Sequence, residues 1–407
     1  PWTIVLGSMA YNEMGVVVLG AGAMLAACRR SNRPGVQAAT VGFLVGVSCC
    51  VKPTALFFVG LPAGVLLLRF LAWRDWGEAL AIGSLAGLLA LSPWLVRNAA
   101  MTGNPVFPFA TDVLSAGHWT DEQIDRWTAA HAFDGSLLDR IRLTAWPDPA
   151  TEPDANPVAR WRGVTNPQWM IAFPAGLLGA LLLLRGKRPR LIAVGLLLGL
   201  TGQLAAWGLA THLQSRFLIP CLLTLAPLAG LGAARVRWPR GAGVGLGVTV
   251  CLVQAIGAWM IFAGQRGGAP NAMLLGGPSL FLGEPYSVEV GAVSPVAFIN
   301  HELPPDSTVL LVGVATPLYI DRPVVYATAW DRPPVLDWMQ SSDTYGVPDA
   351  DYVLIDHAEL ARQQRSGYLD PALTPEFLRT LIEGLAPIRS WPQAGQSLYR
   401  VPRGNRP

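Results

Sequence analysis

Five ionisable residues stand where a long apolar run meets a connection: Glu13, Lys52, Arg97, His212 and Arg216. A charge beside a membrane-length hydrophobic run needs a reason, because desolvating it is costly. Each has a plain one: Lys52, Arg97 and Arg216 can snorkel as anchors, Glu13 can cap a helix, and His212 can be an ordinary loop residue. Together they suit an anion held at a membrane surface. Guanidinium forks match phosphate oxygens bidentately, an ammonium adds a point charge, and a carboxylate orients or deprotonates a hydroxyl. Lys52 is one of two lysines among thirty basic residues, so a lysine-rich composition does not account for it.

The elements that must position these groups are apolar runs. Leu191–Ala210, Phe217–Ala234 and Gly241–Ala263 carry no charged side chain and are long enough to cross a ~30 Å hydrocarbon core. Met14–Cys28, Gly35–Val51, Thr54–Leu68, Gly77–Val96 and Gln168–Leu184 are of the same kind, giving eight expected spans. Alternate connections differ sharply in charge. Arg29, Arg30, Arg33, Arg69, Arg74, Arg185, Lys187, Arg188, Arg190, Arg235, Arg237 and Arg240 fall in one set, whereas the short connections of the other set hold only Lys52 and Arg216. By the positive-inside rule the first set faces the cytoplasm, so the candidate site faces out. The expected fold is a polytopic α-helical membrane protein in the bacterial cytoplasmic (inner) membrane.

Composition agrees: 52% of residues are hydrophobic and 14% charged, at a mean hydropathy of +0.38. The expected outer loop 97–167 holds six basic and nine acidic residues, and the tail 264–407 ten and fifteen. Neither offers a basic face for nucleic acid. Cys28, Cys49, Cys50, Cys221 and Cys251 all lie in or at the ends of apolar runs and read as packing residues, with no disulfide or zinc pattern. No cofactor is implied, and a divalent metal is left open without being indicated. The chain opens at Pro1 on a short apolar stretch, which reads as the end of a helix continuing upstream.

Two regions interrupt the runs. In the outer loop, Thr120-Asp121-Glu122-Gln123 reads as a capping box opening a helix through His131, with Ile124 and Trp127 on one face; Leu137, Leu138 and Ile141 repeat at helical spacing. Trp119, Trp127, Trp146 and Trp161 suit a loop lying along the membrane interface. In the tail, Thr308–Gly313, Pro323–Ala327, Tyr352–Asp356 and Ser397–Val401 read as strands, and Pro333–Gln340 and Pro375–Gly384 as helices. That alternation predicts a small extracytoplasmic α/β domain with a partly parallel sheet. The domains are then a membrane bundle over 1–263 and the α/β domain over 264–407. The turn Gly313-Val314-Ala315-Thr316-Pro317 lacks the G-x-G-x-x-G spacing of a dinucleotide fingerprint.

Ser92-Pro93-Trp94-Leu95-Val96-Arg97-Asn98, running into Thr102-Gly103-Asn104-Pro105-Val106-Phe107-Pro108, resembles the PW-x-x-(R/K)-N … TGNP stretch of bacterial polyprenyl-phosphate-dependent membrane glycosyltransferases. These are the C-class (GT-C) enzymes related to the protein O-mannosyltransferases and aminoarabinose transferases. Ala10-Tyr11-Asn12-Glu13 is similar to that family's Tyr-x-Asp segment, Gly46–Ala55 to its Gly…Lys-Tyr-Thr-Ala segment, and Gln214–Pro220 to its Arg-Tyr-Leu-x-Pro segment. The tail is similar to the periplasmic domain of many members. Glu13 stands where the family has aspartate, and Cys50-Val51-Lys52-Pro53 replaces its small-residue/Lys-Tyr pattern.

The resemblance implies a GT-C-like helical bundle that transfers a sugar, with inversion, from a polyprenyl-phosphate donor to an envelope acceptor (lipid, glycan or protein). It implies a catalytic aspartate on a loop upstream of Pro1, assisted by Glu13. Arg97, then Arg216 and Lys52, would bind the donor phosphate, with Tyr11, Asn98, Asn104 and His212 as further site candidates. The rival readings are a secondary transporter or flippase of envelope precursors, and a non-catalytic envelope protein whose tail is a binding module. Transporters favour internal repeats and charges near the bilayer midplane; here the charges gather at one side.

Overall fold

The computed structural model describes residue 3 and residues 12–29, 31–132, 135–145, 168–211, 215–236, 239, 241–264, 291–292, 294–340 and 350–402. Its helices, in chain order, are α1 (Glu13–Cys28), α2 (Pro34–Val51), α3 (Leu56–Phe70, π-helical over Leu56–Gly60), α4 (Trp76–Thr102), α5 (Asp121–His131), α6 (Leu137–Ala145), α7 (Gln168–Leu184), α8 (Lys187–Ala210), α9 (Leu222–Ala233), α10 (Ala242–Gly264), α11 (Pro295–Glu302), α12 (Pro334–Gln340), α13 (His357–Arg365) and α14 (Pro375–Glu383). A 3-10 segment, Ser215–Cys221, leads into α9. The chain divides into two compact units: Pro1–Gly117 with Ala132–Asn271, and His118–His131 with Ala272–Pro407.

The first unit is helical because its sequence is. Uninterrupted apolar runs leave the backbone no polar partner but itself, and a helix satisfies every interior N–H and C=O. Among the described residues, five helices are long and apolar enough to cross a membrane: Pro34–Val51, Trp73–Thr102, Pro189–Leu209, Arg216–Ala233 and Ala242–Met260. The other three expected spans form as shorter apolar helices, Glu13–Cys28, Leu56–Phe70 and Gln168–Leu184. Sixteen residues, as in α1, rise only about 24 Å.

Close helix contacts are made by glycines. A Cβ on Gly42 would overlap the carbonyl of Gly83, and one on Gly46 would overlap that of Gly87, so α2 and α4 meet backbone to backbone. Gly179 of α7 and Gly232 of α9 make a second contact of this kind. Such small-residue contacts gain dispersion energy where lipid removes the hydrophobic incentive to associate. Buried polar side chains close the remaining backbone gaps. Gln37 Nε2 donates to the carbonyls of Ala26, Ala27 and Arg29 at 2.9, 3.0 and 2.7 Å, capping the end of α1. Gln203, fully buried in α8, donates to the carbonyls of Phe58 (2.7 Å) and Pro220 (3.2 Å) and accepts from Thr224 Oγ1 (2.7 Å). It thereby fixes the π-helical turn of α3 against the 3-10 segment.

The second unit holds a five-stranded sheet of β1 (Val309–Val312), β2 (Val324–Val325), β3 (Tyr352–Asp356), β4 (Ala386–Trp391) and β5 (Gln396–Arg400), in the order β2-β1-β3-β5-β4. β1 is parallel to β2 and β3, while β3/β5 and β5/β4 are antiparallel. Both faces are covered: Leu310, Val312, Val353 and Ile355 pack with Leu336 and Leu360, and Leu311, Leu354, Leu398 and Trp391 with Ile299. Each strand expected from the sequence is present; β4, α11 and α13 are additional.

The tryptophans at the start of the outer loop have specific partners in the protein. The capping box forms, with Thr120 N–H donating to Gln123 Oε1 at 2.8 Å and Gln123 N–H to Thr120 Oγ1 at 3.3 Å. Its helix packs in the α/β unit. Trp119 Nε1 donates to Asp331 Oδ1 at 2.8 Å, Arg126 pairs with Asp370 at 3.2 Å, and the Trp127 ring lies 4.5 Å from that of His131, itself 5.4 Å from Trp330. Burial pushes the Asp331 carboxyl up, but hydrogen bonds from Thr328, Trp119 and His118 outweigh it and hold the group below the usual carboxylate range. Specific indole and guanidinium contacts, from Trp119 before α5 and Arg126 on it, thus join this segment to the tail. Trp146 and Trp161 lie outside the described residues.

Gly42 and Gly64 give opposite expectations for the same change. Gly42→Ala forces backbone apart and should destabilise by about 1–3 kcal/mol. Gly64 has no atom within 4 Å of a Cβ position, so Gly64→Ala should be neutral or stabilising by up to about 1 kcal/mol. Thermal unfolding of both variants in mild detergent checks this; equal shifts would contradict the close α2–α4 contact.

Candidate functional site

Three sequence candidates converge in the helical unit. Glu13 opens α1, where a carboxylate is favoured by the positive end of the helix dipole. Lys52 ends α2, its N–H closing the last turn on Ser48 O at 2.9 Å. Arg216 lies in the 3-10 segment that Gln203 pins through Pro220. Asn12 Nδ2 donates to Val51 O at 3.0 Å, tying the start of α1 to the end of α2. These contacts bring residues 39 positions apart into an ion pair, Lys52 Nζ to Glu13 Oε1 at 2.9 Å, with Arg216 Nε 3.9 Å from the same oxygen.

The pair is shielded from water. Glu13 is 2% exposed, Lys52 18% and Arg216 24%. Phe217 covers both cations, with Lys52 Nζ 4.1 Å and Arg216 Cζ 5.2 Å from its ring centroid. Burial lowers the Lys52 ammonium below the ordinary lysine range, against the opposing pull of the Glu13 carboxylate. Glu13 Oε2 is buried and accepts no hydrogen bond from the described residues. Among the described residues, two cations thus face one carboxylate at a common end of α1 and α2.

The other candidates are placed differently. Arg97 is exposed on α4, which packs against α2, and forms no ion pair among the described residues. Asn104 is fully buried as the organiser of its own loop, donating to Phe109 O (2.8 Å) and Ser115 O (3.0 Å) and accepting from Val106 N–H (2.9 Å). Asn98 Nδ2 donates to Phe107 O at 3.2 Å. Both asparagines thus build the turn after α4, where Gly103 takes the left-handed φ of 72° that a glycine tolerates. Tyr11 and His212 lie outside the described residues. Sequence reading missed Gln203 and Phe217. A lone glutamine inside an otherwise apolar run was the available signal for the first, since such a group must find partners.

Among the described residues, no group of three or more His, Cys, Asp or Glu could hold a metal ion.

A buried pair broken on one side leaves an uncompensated charge. Glu13→Gln and Lys52→Met should each lower stability by roughly 3–5 kcal/mol. The double variant should lose clearly less than the sum of the two, because neither charge remains stranded. Additive losses in detergent unfolding would show that the two groups do not depend on each other.

Comparison with known proteins places residues 16–132 in a match to a family model described as a domain of unknown function (DUF8201), a span that contains Lys52, Arg97, Asn98 and Asn104. No curated protein and no solved structure matches the chain.

Proposed function

We propose that the helical unit belongs to a polyprenyl-phosphate-dependent membrane glycosyltransferase of the GT-C type. It acts at the outer face of the bacterial cytoplasmic membrane, with the basic connections inside and the α/β unit outside. The observation that carries this reading is the convergence of Lys52 and Arg216 on one buried carboxylate at the end of two apolar helices. The resemblance of the Pro93–Pro108 stretch supports it. A polyprenyl-phosphate donor keeps its tail in the bilayer and its phosphate at the interface, where such a cluster would lie.

In the proposed reaction an acceptor hydroxyl oxygen attacks the anomeric carbon and its proton passes to a carboxylate. The bond from that carbon to the phosphate oxygen breaks, and the lipid phosphate leaves with the electron pair. Charge grows on the departing phosphate, so fixed cations beside it lower the barrier. Arg216 offers the bidentate fork and Lys52 the point charge; Glu13 holds both in place. In this reading the first claim on the phosphate passes from Arg97 to Arg216, because Arg216 belongs to the converged cluster. The acceptor is an envelope lipid, glycan or protein.

Transfer from a radiolabelled polyprenyl-phosphate sugar, with the full-length enzyme in proteoliposomes, tests this. Arg216→Lys should keep the fold and lose roughly 30- to 1000-fold in rate, the ~2–4 kcal/mol of a charged contact to the leaving phosphate. Arg97→Lys should lose far less. The reverse ranking would return the phosphate to Arg97, and movement of the donor across the bilayer without transfer would favour a flippase.

A further inference from the structure

The α/β unit carries a crevice where its sheet changes direction. β1 lies between β2 and β3, all three parallel, so the chain leaves β1 to one side and returns to the other. In open α/β sheets, ligands sit outside the carboxyl ends of the strands at such a switch point. Here those ends enclose a cavity of about 390 Å³, at the small end of the range for small-molecule sites. Gly313, the residue after β1, lines it with a φ of 83°. A Cβ there would stand 2.7 Å from Leu360 Cγ, so a glycine lets this loop close on α13. Gln363 Nε2 holds the loop in place, donating to Gly313 O at 3.1 Å.

Three carboxylates line the cavity, Asp356, Glu359 and Asp370, and each is held in position. Asp356 caps α13, accepting from Glu359 N–H at 2.8 Å and from Gln396 Nε2 at 2.7 Å. Arg362 grips Glu359 bidentately at 2.7 and 2.6 Å, and Arg126 pairs with Asp370 at 3.2 Å. Because a carboxylate offers about four lone-pair sites, all three keep acceptor capacity. The side chains around them are small, among them Ala315, Ala327 and Ala329. An aromatic row adjoins. Trp330 follows the lining Ala329, Tyr368 lies between the lining Gln363 and Asp370, and the two rings are 4.9 Å apart. Behind Trp330 come His131 at 5.4 Å and then Trp127, 4.5 Å from His131. Trp330 and Tyr368 are half-buried, so each keeps part of its surface exposed.

We infer that this crevice binds an uncharged saccharide, whose hydroxyls donate to the carboxylates and whose C–H faces rest on Trp330 and Tyr368. Sugars present both kinds of surface: donors on their edges, and C–H groups that suit the electron-rich face of an aromatic ring. An anionic ligand would meet three carboxylates, and the turn after β1 lacks a dinucleotide fingerprint. A hydrocarbon ligand would strip water from those carboxylates and return nothing. An amine gains little, because Arg362 and Arg126 already offset the charges of Glu359 and Asp370. The inference stands on the α/β unit alone and does not rest on glycosyl transfer.

Binding of the full chain, in a mild detergent without a sugar head group, to an array of neutral oligosaccharides and their uronic-acid counterparts tests this. The wild type should bind neutral oligosaccharides roughly tenfold or more above the acidic ones. Ala315→Trp puts an indole into the cavity from a position that is exposed in the fold, and should cut that binding roughly tenfold or more. Trp330→Leu removes a ring face and should weaken it by a similar factor, whereas Trp330→Phe should keep most of it. A wild type that binds no neutral oligosaccharide, or binds the acidic counterparts equally, would overturn the proposal. Undiminished binding by Ala315→Trp would overturn it too, even if Trp330→Leu failed to fold. No sugar transfer enters the readout, so its failure is distinct from failure of the glycosyltransferase reading.

Discussion

A carboxylate that is 2% exposed cannot stand alone, and the arrangement of the helical unit around Glu13 follows from that constraint. Desolvating an ion costs several kcal/mol even after relaxation, and only a well-placed counter-charge returns most of it. Lys52 supplies that charge at 2.9 Å because α2 stops at Val51 and Asn12 ties the start of α1 to that stop. Arg216 arrives from the 3-10 segment, whose position depends on Gln203 holding Pro220 and Phe58 together. The site is therefore a product of three helix ends and one buried amide. The carboxylate thereby fixes two cations at one place.

Much of this was legible in the sequence, and what was missed has physical reasons. Apolar runs with no charge specify helices almost by themselves, and all eight expected ones form. Thr120 and Gln123 announced α5 through local hydrogen bonds, and the tail strands through their β-branched runs. β4 was missed because Ala386–Trp391 is an edge strand, exposed over most of its length, with a proline and no apolar alternation. The pairing of Glu13 with Lys52 depends on how α1 meets α2, which no local pattern encodes. The partners of Trp119 and Trp127 were not legible for a related reason: Asp331, and Trp330 through His131, come from far along the chain.

Glycine and glutamine do different work in the same unit. Gly42, Gly83, Gly179 and Gly232 let helices touch where lipid offers no hydrophobic drive, whereas Gln37 and Gln203 satisfy carbonyls that helix ends and a π-helical turn leave open. Close packing thus supplies rigidity along the helices, and buried amides supply it at their ends, where the charged groups gather. In the α/β unit, Asp331 holds Trp119 just before α5 and Asp370 holds Arg126 on it, so a segment that the sequence assigns to the loop after α4 is structurally a part of the tail's domain.

The claim that the Glu13–Lys52–Arg216 cluster is an anion site is tested most directly by calorimetric titration of the detergent-solubilised chain with a short-chain prenyl monophosphate. Saturable binding is expected, weakened roughly tenfold or more by Arg216→Gln, the loss of at least ~1.4 kcal/mol, and left nearly unchanged by Arg97→Gln. Binding that is indifferent to Arg216→Gln, in protein whose unfolding temperature matches the wild type, would contradict the account.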